Sequence, residues 1–402
     1  MMVALANLGV GTDFLLGAVL MWGFLMGLAT LPFEVVGLVV NSVGWLMMFV
    51  VLLVGGVMVY KSSGMSLYIS LSVAYAGVCV FFLSSLLLVW YVGYEVVLLG
   101  LSLMILISSG YQERLFTVKV FIIFTVVFSL PLLILVMLGW SSSCTVWDSS
   151  WLDVSELLMF MCLVGFLVKV PMYGLHQWLP LVHVESPTSG SMLLAGVLIK
   201  MGVLGVLVVY SVWVGLDWFF SAFGGIWRVC SLSKMLMSSD LKVIIAYSSV
   251  VHMAILLLGL FYSGVSFVVS SLLIMLFHSF VSVGLFYFVG LLSEFMMSRS
   301  LFVVKGGFLW GSSVMLGLFC LLILNFSFPL SGSFWGELNL FYGLVMMEPL
   351  NLLAVSILVF LGMVVNIEVF LCLTNKSVDA SNDWEFSFTL LFGVVFSVAW
   401  SV

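Results

Sequence analysis

Long runs of apolar residues, separated by short polar segments, follow one another along the whole chain. The run FIIFTVVFSLPLLILVML at 121–138 shows the pattern: it holds no charged residue and no alternation of polar and apolar positions. Strands of a membrane β-barrel would alternate with a period of two, whereas runs of about 18 or more apolar residues are typical of membrane-spanning helices. The pattern therefore predicts an all-α polytopic membrane protein.

These runs predict thirteen membrane-spanning helices joined by short connections, with no soluble domain between them. The sixth, tenth and eleventh are longer than the roughly 20 residues that one crossing requires. The predicted ranges are 13–32, 35–60, 67–88, 89–108, 116–138, 154–184, 189–211, 213–231, 241–262, 264–296, 309–341, 347–373 and 385–402.

The positive charges provide a test of this count. The chain has 11 lysines and arginines, and once Lys169 and Lys200 are set aside, the other nine all lie at connections that follow even-numbered spans. The connections that follow odd-numbered spans hold acidic residues but no lysine or arginine. Under the positive-inside rule, the N-terminus is expected on the inner side of the membrane and the C-terminus on the outer side.

The composition narrows the possible functions. Only 7% of residues are charged, against about 25% in soluble domains, so this chain cannot cover a water-facing surface. The formal net charge of −6 gives no reason to expect a nucleic-acid partner, and no GxGxxG or GxxxxGK motif supports nucleotide binding. The six cysteines include no CxxC pair, which argues against an iron–sulfur or zinc site. The first 12 residues carry no positive charge, so no cleavable signal peptide is expected.

A small set of ionisable residues lies within the predicted spans. A charge at the centre of a bilayer costs about 2.5–3.5 kcal/mol, so such groups usually mark an ion or proton path. A structural ion pair needs only two residues, and a histidine can also be a hydrogen-bonded core residue, but charges on six different spans favour a proton relay. The six residues are Glu95, Lys169, Lys200, His252, His278 and Glu337.

Two prolines predict breaks in the long spans. Pro171 cannot donate a hydrogen bond to the carbonyl of Leu167, and the motif FPLSGS at 328–333 contains a second proline just before Glu337. Broken helices at membrane depth are tolerated where they line a cavity. Helix interruptions are therefore predicted near 168–172 and 327–333.

The placement of the two breaks suggests inverted repeats of five helices each, with Lys169 and Glu337 at equivalent positions. The first repeat is predicted at 67–211 and the second at 212–373. Helices at 1–66 would precede the repeats, and a last helix at 374–402 would follow them.

His176, His183 and Glu185 lie close together in the sequence, which raises the possibility of a metal site. Pro180 separates the two histidines and no further ligand is nearby, so no metal is expected. We expect His183 and Glu185, at the inner end of the broken span, to cap a helix.

Five segments, spread in order from about residue 90 to 340, resemble chain 4 of the proton-pumping NADH:ubiquinone oxidoreductase, respiratory complex I. The segments are GYQERLFTVKVFIIFTVVFSLPLLI (110–134), KVPMYGLHQWLPLVHVESPTSGSMLLAGVLIKMG (169–202), SSDLKVIIAYSSVVHM (238–253), FHSFVSVGLFYFVGLLSE (277–294) and WGEL around Glu337. Most members of that family have fourteen helices, so the resemblance implies that this chain lacks one of the first three.

The resemblance implies a role for each buried residue. Glu95 matches the glutamate that pairs with the lysine of the broken helix, Lys169, and Lys200 matches the lysine of the next helix. His252 and His278 match histidines of a central hydrophilic axis. The remaining residue, Glu337, matches the carboxylate nearest the proposed proton exit.

The resemblance also implies a function and a setting. The chain would be a proton-translocating, antiporter-like subunit in the mitochondrial inner membrane, bound to lipid and to other membrane-arm subunits, including neighbouring antiporter-like chains. It would bind no cofactor, because the NADH, flavin, iron–sulfur and ubiquinone sites belong to other subunits. Two alternatives remain: a cation/proton antiporter subunit without redox coupling, and a structural subunit that conducts nothing.

A lysine in the middle of an apolar run is useful for such a relay. Burial disfavours the charged form of a lysine, and a nearby carboxylate favours it. Moving Glu95 toward or away from Lys169 would therefore load or release a proton. Because the two residues are an acid and a base at depth on nearby spans, we expect them to meet directly or through one water.

Overall fold

The computed structural model is helical in every regular element that it describes. The described residues are 64–84, 86–108, 112–139, 156–172, 174–212, 230–261, 265–301, 312–327, 331–347 and 349–374, together with positions 44, 47, 48, 51 and 55. Within these ranges the α-helices are α1 (Met65–Leu83), α2 (Leu87–Ser108), α3 (Gln112–Gly139), α4 (Glu156–Lys169), α5 (Trp178–Glu185), α6 (Thr188–Leu193), α7 (Ile199–Val212), α8 (Leu241–Phe261), α9 (Val265–Met296), α10 (Ser312–Asn325), α11 (Gly332–Met347) and α12 (Pro349–Thr374).

Where the structure describes them, the helices follow the predicted spans. The predicted spans 67–88, 89–108 and 116–138 correspond to α1, α2 and α3. The first and last predicted spans, 13–32 and 385–402, lie outside the described residues. The all-helical fold is therefore confirmed, and the total of thirteen spans stays a prediction.

Helices of membrane-spanning length and composition recur within the described part of the chain. Five are long and apolar enough to cross a membrane: Met65–Leu83, Leu87–Ser108, Glu113–Met137, Thr188–Val209 and Phe267–Glu294. Large apolar side chains of α2 and α3, such as Leu99 and Ile123, are about 60% exposed, as expected of a surface in contact with lipid (59% and 60%). By contrast, every residue from 189 to 209 is buried, so this helix runs through the centre of the protein.

Small residues bring α1 and α2 into backbone contact. A methyl group added at Gly93 would lie 2.6 Å from the backbone nitrogen of Phe81, and one added at Gly100 would lie 2.7 Å from the backbone nitrogen of Ala74. Any larger side chain at either position would push the helices apart. Close packing through small residues is a common way to associate helices in a membrane, where the hydrophobic effect gives little driving force.

The first predicted interruption, near 168–172, is present. α4 ends at Lys169, and regular helix resumes only at Trp178, where α5 begins. Between them Gly174 has a φ of 91°, a conformation that glycine adopts without steric cost. The chain therefore changes direction directly after the buried lysine.

Hydrogen bonds within the protein satisfy the carbonyls at this break. Pro171 has no N–H to offer the carbonyl of Leu167, and the N–H of Met172 donates to it instead, at 3.3 Å. The indole Nε1 of Trp178 donates to the carbonyl of Val168 at 2.9 Å. Irregular backbone at membrane depth is stable only with such internal partners.

The second predicted interruption, at 327–333, is also present. α10 ends at Asn325, and α11 begins at Gly332. Ser327, in the turn after α10, has a φ of 60° in the left-handed region. A residue other than glycine pays roughly 1–2 kcal/mol for this conformation. Residues 328–330 lie outside the described ranges.

The central helix contains an irregularity that the prolines do not mark. Between α6 and α7 the residues Leu194–Leu198 form a π-helical turn, and all five are buried. π turns inside α-helices often occur at functional sites. Lys200 lies two residues beyond this turn, in the first turn of α7.

Candidate functional site

Lys200 and His278 are in direct contact at the centre of the protein. The Nζ of Lys200 lies 3.1 Å from Nδ1 of His278 on α9. The same Nζ donates a hydrogen bond to the carbonyl of Ala195, which belongs to the π turn. Both side chains are buried, so the lysine reaches from the irregular part of its own helix to the neighbouring one.

The two histidines continue the series toward Glu337. The ring centroids of His278 and His252 are 5.2 Å apart, with the rings inclined at 50°. Nδ1 of His252 lies 3.3 Å from Oε1 of Glu337. The step between the rings is longer than a hydrogen bond, so transfer there requires a ring rotation or a bridging water.

Glu337 is positioned by the second helix break. Its Oε1 accepts a hydrogen bond from the hydroxyl of Ser327 at 2.8 Å. Ser327 is the residue in the left-handed conformation, and this backbone geometry accompanies the contact across the break. Glu337 itself is buried in the second turn of α11.

Four of the six predicted residues therefore form one contiguous group, here called the central series. Its members lie on α7, α9, α8 and α11. A histidine has two ring nitrogens and can accept a proton at one while releasing one from the other. The arrangement can pass a proton between a buried ammonium and a buried carboxylate. In spatial order the central series is Lys200, His278, His252 and Glu337.

The other two predicted residues, Glu95 and Lys169, are held differently. The Nζ of Lys169 lies 2.6 Å from the centroid of the Tyr94 ring, and it is buried. Neither this Nζ nor Oε1 of Glu95 has a hydrogen-bond partner among the described residues. The two charges nevertheless interact electrostatically. Their predicted contact is therefore not a direct hydrogen bond, and a contact through one water stays a prediction.

The prediction that His183 caps a helix is wrong. The imidazole of His183 is fully buried and stacks on Phe286, with centroids 4.4 Å apart and rings nearly parallel at 6°. Neither ring nitrogen has a hydrogen-bond partner among the described residues. The end of α5 is instead closed by the backbone N–H of Ser186, which donates to the carbonyl of Val182. Phe286 lies about a hundred positions further along the chain, so local sequence could not indicate it.

Glu185 does not cap the helix with its side chain either. It forms an ion pair with Arg114 of α3, with 3.3 Å between Oε2 and Nε. The other histidine of this segment, His176, lies 3.4 Å from the ammonium of Lys234. Within the described residues, no group of three or more His, Cys, Asp or Glu side chains is arranged to hold a metal ion.

Several residues of the site were not identifiable from the sequence. Tyr94 covers the ammonium of Lys169, but tyrosines and other aromatics make up 15% of this chain and carry no distinguishing signal. Ser327 binds Glu337 across the break, and its place two residues before Pro329 was the available hint. Asn325 and Asn366 join α10 to α12. An amide within an apolar span was the signal that could have revealed the second of them.

The helical fold and the buried ionisable residues define a membrane protein of the antiporter-like class. Residues 84–362 match the family described as NADH:quinone oxidoreductase/Mrp antiporter, TM, and the chain belongs to this family.

Curated relatives are more specific about the kind of subunit. The chain is 33% identical over 308 residues to NADH-ubiquinone oxidoreductase chain 4 of Rhipicephalus sanguineus, which covers 75% of this chain and 70% of that one. It is 35% identical over 278 residues to chain 4 of Ceratitis capitata, covering 64% of this chain and 60% of that one. These relatives confirm the resemblance to chain 4 that was based on the quoted segments.

Solved structures share the fold. Respiratory complex I from Thermus thermophilus with bound NADH contains a chain that matches with a TM-score of 0.74 and 20% identity, over 88% of this chain and 79% of that one. The Mrp complex from Dietzia sp. contains a chain that matches with the same TM-score of 0.74 and 14% identity, over 85% and 67%. At these identities the likeness concerns the fold alone.

Proposed function

We propose that this chain is the antiporter-like chain 4 subunit of NADH:ubiquinone oxidoreductase and that it moves protons across the mitochondrial inner membrane. The movement is coupled to NADH oxidation by quinone, which takes place on other subunits. The observation that carries the proposal is the buried central series, in which Lys200, His278, His252 and Glu337 follow one another between a π turn and a helix break. The names of the curated relatives support the assignment to this complex.

In the proposed mechanism, Lys169 holds a proton when Glu95 is close and releases it when Glu95 withdraws. Lys200 accepts that proton and passes it to Nδ1 of His278, 3.1 Å away. His278 delivers it to His252, whose Nδ1 lies 3.3 Å from the carboxylate of Glu337. Glu337 is the last acceptor and releases the proton toward the outer side.

The energy that the pair must supply is modest. Moving a proton against roughly 150 mV costs about 3.5 kcal/mol, scaling from about 2.3 kcal/mol per 100 mV. One pKa unit corresponds to about 1.36 kcal/mol, so a swing of about three units suffices. Withdrawal of one carboxylate from a buried lysine can produce a swing of this size.

The setting of the subunit belongs to the same proposal. Its partners are other membrane-arm subunits, including neighbouring antiporter-like chains, and lipid. The cofactors of the complex lie on other subunits. The N-terminus faces the matrix, and the C-terminus faces the intermembrane side.

We also propose that 67–211 and 212–373 are two inverted repeats. The equivalence of the two breaks supports this division: α4 ends at Lys169, and α11 begins shortly before Glu337. The segments 1–66 and 374–402 would then be additions at either end.

The test is proton delivery by a Lys200→Met variant of the assembled complex, reconstituted in sealed vesicles. Methionine fills nearly the same space but carries no charge, so we expect fewer protons moved per NADH and a slower NADH rate. Lys119→Met is the matched control, because Lys119 is exposed on α3 and lies outside the central series. Normal values for both measurements in Lys200→Met would indicate a structural subunit that conducts nothing.

A cation/proton antiporter without redox coupling is the second candidate, favoured by the equal fold similarity to a chain of the Mrp complex. In that case the isolated subunit in vesicles would exchange sodium for protons in the absence of NADH, and Lys200→Met would abolish the exchange. No exchange by the wild-type subunit, with NADH-driven proton movement by the complex, would exclude it.

A further inference from the structure

A cavity lies against the end of the central series. Its volume is about 30 Å³, and it is enclosed by residues of α8, α10, α11 and α12. A buried water needs roughly 10–15 Å³ and two to four polar partners, so the cavity has room for about two waters. Its polar lining consists of Ser248, His252, Asn325, Glu337 and Asn366.

Two asparagines form the wall of the cavity on the side away from the histidines. Nδ2 of Asn325 donates to Oδ1 of Asn366 at 3.3 Å, and Nδ2 of Asn366 donates to the carbonyl of Gly362 at 3.1 Å. Asn325 is the last residue of α10, directly before the second break. Both side chains are more than nine-tenths buried, with 4% and 8% of their surface exposed.

A purely structural role would not require the pair to border this cavity. An interhelical amide hydrogen bond can form in a dry interface, where it stabilises helix association by about 1 kcal/mol. Here the amides share one small polar cavity with the carboxylate of Glu337 and the ring of His252. The lining therefore offers acceptors and donors on both sides of the space that water would fill.

The central series needs such a place, because its description ends at Glu337. The carboxylate is bonded to Ser327 and contacts His252, and both of these lie on the side from which the proton arrives or at the break itself. The remaining polar groups that face the same cavity from α10 and α12 are Asn325 and Asn366.

We propose that Asn325 and Asn366 are positioning residues that hold water against Glu337, and that a proton leaves Glu337 through this water between α10 and α12. This inference rests on the proposed function. Asparagine does not titrate, so neither residue carries the proton itself. They fix the water that accepts it.

The test uses Asn366→Leu in the assembled complex in sealed vesicles. Leucine has a similar size and no hydrogen-bonding group, so it should dry the cavity while keeping the packing of α12. We expect proton delivery to slow about tenfold, the effect of losing roughly one hydrogen bond in the transfer step. Asn339→Leu is the matched control, because Asn339 is exposed on α11, the helix that carries Glu337.

A spectroscopic measurement separates this role from a structural one. The carboxyl C=O stretch of Glu337, assigned by its loss in Glu337→Gln, should move to higher wavenumber in Asn366→Leu, because the carboxyl loses a hydrogen-bonding water. Asn366→Ser keeps a small polar group and should restore both the band position and most of the proton delivery. An unchanged band with wild-type delivery in Asn366→Leu would overturn the inference.

The outcomes also distinguish this inference from the proposed function. If Lys200→Met and Glu337→Gln block proton delivery while Asn366→Leu does not, the relay stands and the exit runs elsewhere. If Lys200→Met pumps normally, the proposed function itself is wrong. Should Asn366→Leu fail to assemble, a high-resolution map of the wild-type complex decides: a water contacting Glu337 and the Asn366 amide is expected, and a dry cavity contradicts the inference.

Discussion

The two groups of buried charge in this protein are built in opposite ways. In the central series each member is within 3.1–5.2 Å of the next, from Lys200 to Glu337. Lys169 instead lies against the ring of Tyr94, and neither its Nζ nor Oε1 of Glu95 has a hydrogen-bond partner among the described residues.

The contrast indicates a division of labour. A group of residues already in contact can conduct but has little left to change, whereas an acid and a base held apart can close and open. A cation over an aromatic ring is stabilised by about 2 kcal/mol or more when desolvated, which is enough to hold Lys169 without its carboxylate. We therefore place control of the relay at Glu95 and Lys169, and conduction in the central series.

The largest expected effect breaks the conducting end. Glu337→Gln should lower proton delivery by about 100-fold or more, the scale of losing a group that accepts and donates the proton. Glutamine keeps the shape and the oxygen that accepts from Ser327, so the complex should assemble. Protons moved per NADH and the NADH rate, scored together in sealed vesicles, check this. Glu368→Gln, an exposed site on α12, is the control. Wild-type values in Glu337→Gln would mean that Glu337 is structural.

The next effect concerns the controlling end. Tyr94→Leu removes the ring beneath the ammonium of Lys169, and a loss of about 2 kcal/mol corresponds to a roughly 30-fold slower transfer. Tyr94→Phe keeps the ring and loses only the hydroxyl, which makes a long 3.5 Å bond to the carbonyl of Gly165. We expect Tyr94→Phe to retain most proton delivery. Equal losses in both variants would show that the hydroxyl, and not the ring, is the important group.

An intermediate effect is expected at the second break. Ser327→Ala and Ser327→Gly both remove the hydroxyl that donates to Glu337, so both should slow proton delivery by about tenfold, as for one lost hydrogen bond. They should differ in stability, because glycine adopts a φ of 60° without steric cost and alanine does not. Thermal unfolding should show Ser327→Gly to be more stable than Ser327→Ala by about 1 kcal/mol. Equal stability would argue against strain at this position.

The smallest effect is expected far from both groups. Glu185→Gln breaks the ion pair with Arg114, whose side chains are 17% and 18% exposed. Such pairs contribute about 0–1 kcal/mol, and added salt reduces their effect. Thermal unfolding at low and high salt should show a small loss that shrinks with salt, with unchanged proton delivery. Glu113→Gln, an exposed site at the start of α3, is the control. A large loss of proton delivery would mean that this ion pair belongs to the relay.

The sequence was informative where the physics is local. Proline removes a backbone donor, so the breaks after Lys169 and before Glu337 could be placed to within a few residues. An ionisable residue in an apolar span is conspicuous, and four of the six turned out to be neighbours. The order in which they meet, and the exclusion of Glu95 from direct contact with Lys169, depend on helix packing that no local pattern encodes.

Other features are invisible to local reasoning. The partner of His183 is Phe286 on another helix, and the sequence suggested a cap only because His183 lies near a helix end. The π turn at Leu194–Leu198 could not be predicted from hydrophobic periodicity, because every residue from 189 to 209 is buried and no face of the helix differs from another.

That π turn has a consequence for how lineages of this chain can diverge. A π turn closes its hydrogen bonds over five residues instead of four, so it holds one residue more than the α-helix it interrupts. Removing a single residue from Leu194–Leu198 would return the helix to regular winding and rotate all that follows by about 100°. Lys200 would then point away from His278, although no residue of the site had been replaced. A one-residue gap in this segment of a homologue is thus as consequential as a substitution of the lysine itself.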